Sequence, residues 1–190
     1  MTTTTSQADA RLVNLLGAAA TGITDAVAGA ITAVPDIDIS TATALVALLD
    51  FAPSASVRRL SNVLGLTHSG AVRVADRLVA SGYAVRGTAL GDERVVSLRL
   101  TPPGKRVAVR LRRNRDAAIR VLLEDLNTVS RRQLVEALER LIGTISATRL
   151  VERTAGGVPR GGALCRLCDF AACGRPLGRC PAAESVKIAS

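Results

Sequence analysis

The stretch SVRRLSNVLGLTHSGAVRVADRLVASGY, residues 56–83, places two short amphipathic segments around a glycine and constrains the chain more than any other feature. Ser56 is a capping residue for the first segment, Gly65 supplies a tight turn, Leu66 fills the space beneath it, and Thr67 caps the second. That order predicts a helix-turn-helix. In the second helix Ala71, Val74, Ala75 and Leu78 share one face, whereas His68, Ser69, Gly70, Val72, Arg73 and Arg77 point away from it. Small residues at the start of this helix allow close approach to a major groove, and an arginine there reaches a guanine edge or a phosphate. Thr67, His68, Ser69, Gly70, Val72, Arg73 and Arg77 are therefore expected to face DNA.

Charge agrees with that expectation. The net charge of +9 is distributed as −4 over residues 1–56, +4 over 57–103, +6 over 104–120 and +3 over 121–190. Arginine supplies nearly all of the positive charge, since Lys105 and Lys187 are the only lysines. Guanidinium forks suit bidentate contact with phosphate and guanine. The run KRVAVRLRRNR at 105–115 reads as the solvated flank of a long helix, with a modest claim on the DNA backbone because it follows the β-segment.

Around this centre the periodicity predicts a mainly α fold with a small β-hairpin. Leu12, Leu16, Ala19, Ile23, Val27 and Ile31 form one stripe on a helix from about residue 10 to Val34, after a flexible segment at 1–9. A short helix capped by Ser40 runs to Leu49. In AVRGTALGDERVVSLRL, Val96, Leu98 and Leu100 alternate with Ser97 and Arg99, which predicts a hairpin over 84–100 with one buried face and Arg94 near its tip. Thr101 and Pro102 start a further helix. Ser130 caps a last one, on which Leu134, Leu138, Leu141 and Ile145 line up.

These residues resemble the multiple antibiotic resistance regulator (MarR) family of winged-helix transcription factors. LGLTHSGAVRVADRLVASGY is followed by GDERVVSLRLTPPG, in which Asp92, Arg94, Leu98, Leu100, Thr101 and Gly104 match the family's wing pattern D-x-R-x-x-x-L-x-L-T-x-x-G. The resemblance spans about residues 10–150, its specific motifs within 57–104, and the domain is expected at 10–153, with the helix-turn-helix at 56–82 and the wing at 84–100. It implies a homodimer joined through terminal helices, double-stranded operator DNA as partner, Arg94 as a wing contact, and a transcriptional regulator, most simply a repressor, with a small-molecule or redox effector. Gly70 and Val72 depart from the hydroxyl and amide side chains common in the family, so the operator sequence is not legible.

The second departure is the C-terminus. A glycine-rich linker at 154–164 leads to Cys165, Cys168, Cys173 and Cys180, all the cysteines of the chain, spaced C-x2-C-x4-C-x6-C over 165–181. Two thiolates two residues apart suit one metal ion, and four complete a tetrahedral site. So few bulky apolar residues in the tail are insufficient to fold it alone, and a metal would supply the order. The spacing begins like a zinc knuckle and ends, at Pro181, like a ferredoxin-type run, so zinc and an iron–sulfur cluster both remain open. A metal-free thiol redox sensor is the alternative. An electron carrier or oxidoreductase built on the thiols, or a purely architectural DNA-binding protein, would belong to other classes. With a single histidine and no paired acidic motif, the chain is not expected to be an enzyme. Its opening residues lack a signal peptide and its apolar runs are interrupted by Asp25, Asp36 and Asp50, so a cytoplasmic protein with no membrane partner is expected.

Overall fold

The computed structural model describes the backbone of residues 2–89, 92–155 and 161–188, and the side chains of 7–88, 96–152, 154–155 and 161–184. Among the described residues, seven α-helices and three strands follow in the order α1 (Thr2–Thr32), α2 (Ile39–Val46), β1 (Ala55–Ser56), α3 (Val57–Leu64), α4 (His68–Ala80), β2 (Ala84–Ala89), β3 (Asp92–Leu100), α5 (Pro102–Val121), α6 (Thr128–Thr154) and α7 (Pro181–Ile188). The expected mainly helical winged-helix architecture is what forms.

Local chemistry places most of the boundaries. Ser56 accepts the Arg59 amide at 3.2 Å, Gly65 adopts φ 68°, and Thr67 accepts the Gly70 amide at 3.1 Å, which completes the helix-turn-helix as predicted. Two caps differ from the sequence reading. Asp38, not Ser40, caps α2 by accepting the Thr41 amide at 2.8 Å, and Asn127, not Ser130, caps α6 by accepting the Ser130 amide at 2.9 Å. In each case the helix starts earlier than expected, and an Asx side chain upstream of it fills the capping position. At the other end of the chain, α1 runs from Thr2, so residues 2–9 of the segment expected to be flexible belong to the helix, as extension of an existing helix requires no new nucleus. The segment after α2, Ala47–Phe51, is a single wide π-turn closed by the Ala52 amide on the Ala47 carbonyl at 2.8 Å.

The sheet has β3 in the middle, antiparallel to β1 and β2, with Ser56 and Gly87 both opposite Ser97. This central position breaks the simple alternation expected for the hairpin. Ser97 is wholly buried and donates to the carbonyls of Gly87 and Thr88, whereas Val96, farther out along the wing, is 55% exposed. Leu98 is buried as expected.

Ile31, Leu45, Leu60, Leu78, Leu98 and Leu111 form one core across α1–α5 and the sheet. The tail joins it: Ala163 is a member and Leu167 packs against it. Outside that core, α1 exposes Leu12, Val13, Leu15, Leu16 and Ile23, and α6 exposes Val135, Leu138, Leu141 and Ile145. By length and composition Gln7–Thr32 matches a membrane-crossing helix, with mean hydropathy 1.4, although it carries Asp9, Arg11 and Asp25. Its C-terminal end nevertheless packs into the core through Ile31, and α1 packs on α5.

The wing is tied back to α5 at one crowded point. Thr101 donates its amide to the Tyr83 carbonyl and its hydroxyl to the Gly82 carbonyl, at 3.0 and 2.7 Å. A Cβ at Gly104 would overlap that same Tyr83 carbonyl. Gly104→Ala is therefore expected to destabilise the fold by about 2–3 kcal/mol, read as a lower urea midpoint at unchanged m.

Candidate nucleic-acid interface and cysteine cluster

The start of α4 is open to solvent. Thr67, His68, Ser69 and Arg73 are exposed, Gly70 and Val72 are half-buried, and the Thr67 and Ser69 hydroxyls lie 3.3 Å apart. The apolar face expected from the sequence, Ala71, Val74, Ala75 and Leu78, is buried. Arg73 makes no ion pair with a described residue, which leaves its guanidinium available to a partner. Arg77 is exposed as expected, and it also forms an ion pair with Asp38 at 3.0 Å and donates to the Thr41 hydroxyl at 3.2 Å. It thereby fastens α4 to the start of α2. Asp76 pairs with Arg86 and fastens the same helix to β2. The Arg94 side chain lies outside the described residues, as do Leu90 and Gly91.

The arginine run on α5 divides in two. Lys105, Arg106, Arg110 and Arg113 are exposed, whereas Arg112 and Arg115 turn inward toward acidic groups. Arg112, only 19% exposed, reaches Asp50 at 2.6 Å and Asp169 at 3.5 Å. It therefore joins the π-turn to the cysteine tail.

In that tail a 3-10 turn, Leu164–Leu167, carries Cys165, and a second, Arg175–Leu177, lies between Cys173 and Cys180. All four thiols are free, with Cys165 and Cys180 buried. The Cys165 and Cys168 thiols interact directly, and the Cys173 thiol donates to the Phe170 carbonyl at 3.5 Å. The bond to Cys165 draws the Cys168 thiol down to about pKa 6, with Arg115 and Arg175 assisting against its burial and Asp116. The same bond, burial and the neighbouring Cys168 and Cys180 push Cys165 up. Burial raises Cys173. The two thiols thus titrate as a pair, the first proton leaving below the ordinary thiol range and the second held above it.

Space adjoins the cluster on two sides. One cleft of about 360 Å³ is lined by Arg115, Asp116, Cys168 and Cys173. Another, about 310 Å³, is lined by Phe51, Arg149, Cys165 and Arg175 and includes Ser146, whose buried hydroxyl has no hydrogen-bond partner among the described residues. By donor chemistry, four thiols beside several guanidinium groups fit a thiolate-bound metal centre. As the side chains stand, no group of three or more His, Cys, Asp or Glu among the described residues is arranged to hold a metal ion.

The sequence reading found the cysteines but missed Asp50, Phe51, Arg112, Arg149 and Gly162, which position them. A signal was present: Asp-Phe occurs twice, at 50–51 and at 169–170, and these are the chain's only two phenylalanines. The two aspartates share Arg112. The two rings meet edge to face at 6.0 Å, with Arg175 lying 5.7 and 4.6 Å from their centres.

In the metal-free, reduced chain, iodoacetamide is expected to modify Cys168 first and Cys165 last. The rate at Cys168 should rise with pH through a midpoint near 6, because the thiolate is the nucleophile, and Arg115→Gln should move that midpoint upward. Mass spectrometry of the tail peptides reads both effects.

Comparison with known proteins agrees with this geometry. The MarR family model matches residues 36–95. A MarR family protein from Bacillus stearothermophilus is similar in structure, with TM-score 0.62 and 26% identity over 72% of this chain and 94% of that one. Wild-type MarR from E. coli, in its apo form, gives TM-score 0.57 and 20% identity over 68% and 96%. CouR from Rhodococcus jostii RHA1, bound to p-coumaroyl-CoA, gives 0.54 and 23% over 67% and 88%. No curated protein sequence matches the chain. The helix-turn-helix and the first part of the wing lie within the stretch that matches the MarR family model, and the chain shares the winged-helix fold of a MarR family protein.

Proposed function

We propose that the chain is a homodimeric, operator-binding transcriptional repressor. The observation that carries this reading is the exposed start of α4, where Thr67, His68, Ser69 and Arg73 face solvent while Arg77 and Asp76 fasten the helix from its sides. A helix held in this way meets a major groove as a rigid unit, so little conformational entropy is lost on binding. Arg73 contacts a guanine edge or a phosphate, Arg94 reaches the backbone or minor groove from the wing, and the exposed cations of α5 add phosphate contacts. The apolar residues exposed along α1 and α6 support pairing of two chains through their terminal helices. Two recognition helices then meet successive turns of one duplex, and occupancy of a promoter by the dimer excludes transcription.

Arg73→Ala is expected to weaken binding to a duplex selected from a randomised library by roughly 1–3 kcal/mol. If Arg73 reads guanine, the loss concentrates at one position of the site. If it holds phosphate, the loss is uniform and the salt dependence flattens by about one counterion. Fluorescence anisotropy at several salt concentrations separates the two, and unchanged affinity and slope would remove Arg73 from the interface.

The finer part of the proposal concerns the tail. Cys165, Cys168, Cys173 and Cys180 hold zinc or an iron–sulfur cluster, and the regulator responds to metal or redox state. The grouping of all four cysteines within residues 165–180 and the arginines Arg115 and Arg175 beside Cys168 support it. Anaerobic purification followed by zinc, iron and sulfide analysis and a visible spectrum tests it directly. A second reading, a metal-free thiol sensor, is favoured by the Cys165–Cys168 pair, in which a thiolate already lies beside a thiol. The likeness to CouR supports a small organic molecule as a further effector.

A further inference from the structure

The carbonyls of the last turn of a helix find no partner within it. In α3 the Val63 carbonyl finds one far downstream, since the Ala163 amide of the tail donates to it at 2.8 Å. Gly162 and Gly65 then cross backbone on backbone. A Cβ on Gly162 would stand 2.5 Å from the Val63 oxygen and 2.6 Å from the Gly65 nitrogen, and one on Gly65 would stand 2.5 Å from the Gly162 nitrogen. Both glycines have positive φ, 73° and 68°, so the crossing requires glycine twice over. Gly162 and Ala163 are buried, and their carbonyls are satisfied from the outer side: Arg149 of α6 donates to Gly162 at 2.6 Å and Arg166 to Ala163 at 2.7 Å. The crossing is present with all four cysteines as free thiols, so it belongs to the fold itself.

The place of contact matters because of how α4 is held. Arg77 on Asp38 and Thr41, and Asp76 on Arg86, fasten the helix beyond its middle. His68, at its start, stands about 12 Å along the axis from Asp76 at about 1.5 Å per residue. The core seats the inner face through Ala71 and Val74, but the direction in which the chain enters the helix is set at Gly65. Thr67, His68, Ser69 and Arg73 follow directly from that entry, and this is where the tail rests.

We propose that residues 161–163 are a positioning element of the recognition helix: by capping α3 and seating on Gly65 they hold the start of α4 at the angle at which it reads DNA, and Arg149 keeps them there. The inference rests on the reading of α4 as the DNA-reading helix, and adds that its aim depends on a segment outside the helix-turn-helix and wing. A turn held from both sides samples fewer entry angles, so a larger fraction of chains is competent to read bases. Without the tail contact the helix and the exposed cations of α5 remain, so the loss falls on sequence reading and not on phosphate attraction.

The test compares the full-length chain, reduced and with chelator present, with Arg149→Met, Arg149→Lys and Gly162→Ala. Amide exchange is followed at Leu66, Gly70 and Ala71, and affinity is measured for the library-selected duplex and for a scrambled duplex of equal length. Arg149→Met keeps the apolar stem and removes the donor. In it, exchange at those amides should quicken and the preference for the selected duplex should fall about tenfold, within the usual span of coupling between sites. Arg149→Lys, which still carries a donor for the Gly162 carbonyl, should restore most of that preference, and Gly162→Ala, where it folds, should lose at least as much as Arg149→Met. A merely structural role would lower the folded fraction and weaken both duplexes in proportion, and that result would overturn the inference. Wild-type exchange and preference in Arg149→Met and in a folded Gly162→Ala would do the same while leaving α4 as the DNA reader. A wild-type chain that prefers no duplex over scrambled DNA would overturn the inference together with the reading of α4 on which it rests.

Discussion

Leu60, Leu78, Leu98 and Leu111 are fully buried, and they come from α3, α4, β3 and α5 in turn. Their packing is the constraint on which the rest of the molecule depends. It draws the two helices of the helix-turn-helix, the middle strand of the wing and the long helix α5 around one point, so the orientation of α4 follows from how these side chains fill the space between elements. Ala71, Val74 and Ala75 add to the same inner face. What remains outward on α4 is then a fixed surface, headed by Thr67, His68, Ser69 and Arg73.

A second assembly ties the tail to that core. Arg112 connects Asp50 of the π-turn to Asp169 of the tail, and the two phenylalanines beside those aspartates meet under Arg175. The π-turn matters here because its widened backbone carries Asp50 and Phe51 at the end of α2, beside the first 3-10 turn of the tail. Ion pairs alone at such a partly exposed position contribute little, but combined with ring contact and the burial of Ala163 they hold the cysteine segment on the body. The cysteines are thereby part of the winged-helix unit, although a glycine-rich linker precedes them.

Much of this was legible beforehand. Ser56, Gly65 and Thr67 announce the helix-turn-helix because capping and left-handed turn conformations are local chemistry, decided within a few residues. The wing was legible from the alternation that ends at Leu98 and Leu100 and from the Thr101–Pro102 helix start. Where the reading of the residues departed from the structure, a non-local partner intervened. Ser97 is buried because β1, arriving from residues 55–56, makes β3 a central strand. Arg77 meets Asp38 and Thr41 because α2 lies across α4, which no periodicity within α4 reveals.

The sequence by itself determined the elements and the inventory of chemistry: the helix-turn-helix, the wing, the arginine-rich middle and four thiols grouped in one short segment. These are properties of spacing and side-chain type, and they do not depend on distant neighbours. Only the tertiary structure decided which arginines face outward and which hold the fold, and that Gly162 rests on Gly65. Ion pairs between Arg112, Asp50 and Asp169, and a backbone crossing that tolerates no Cβ, exist only once separate segments are packed together. Sequence separation carries no trace of them.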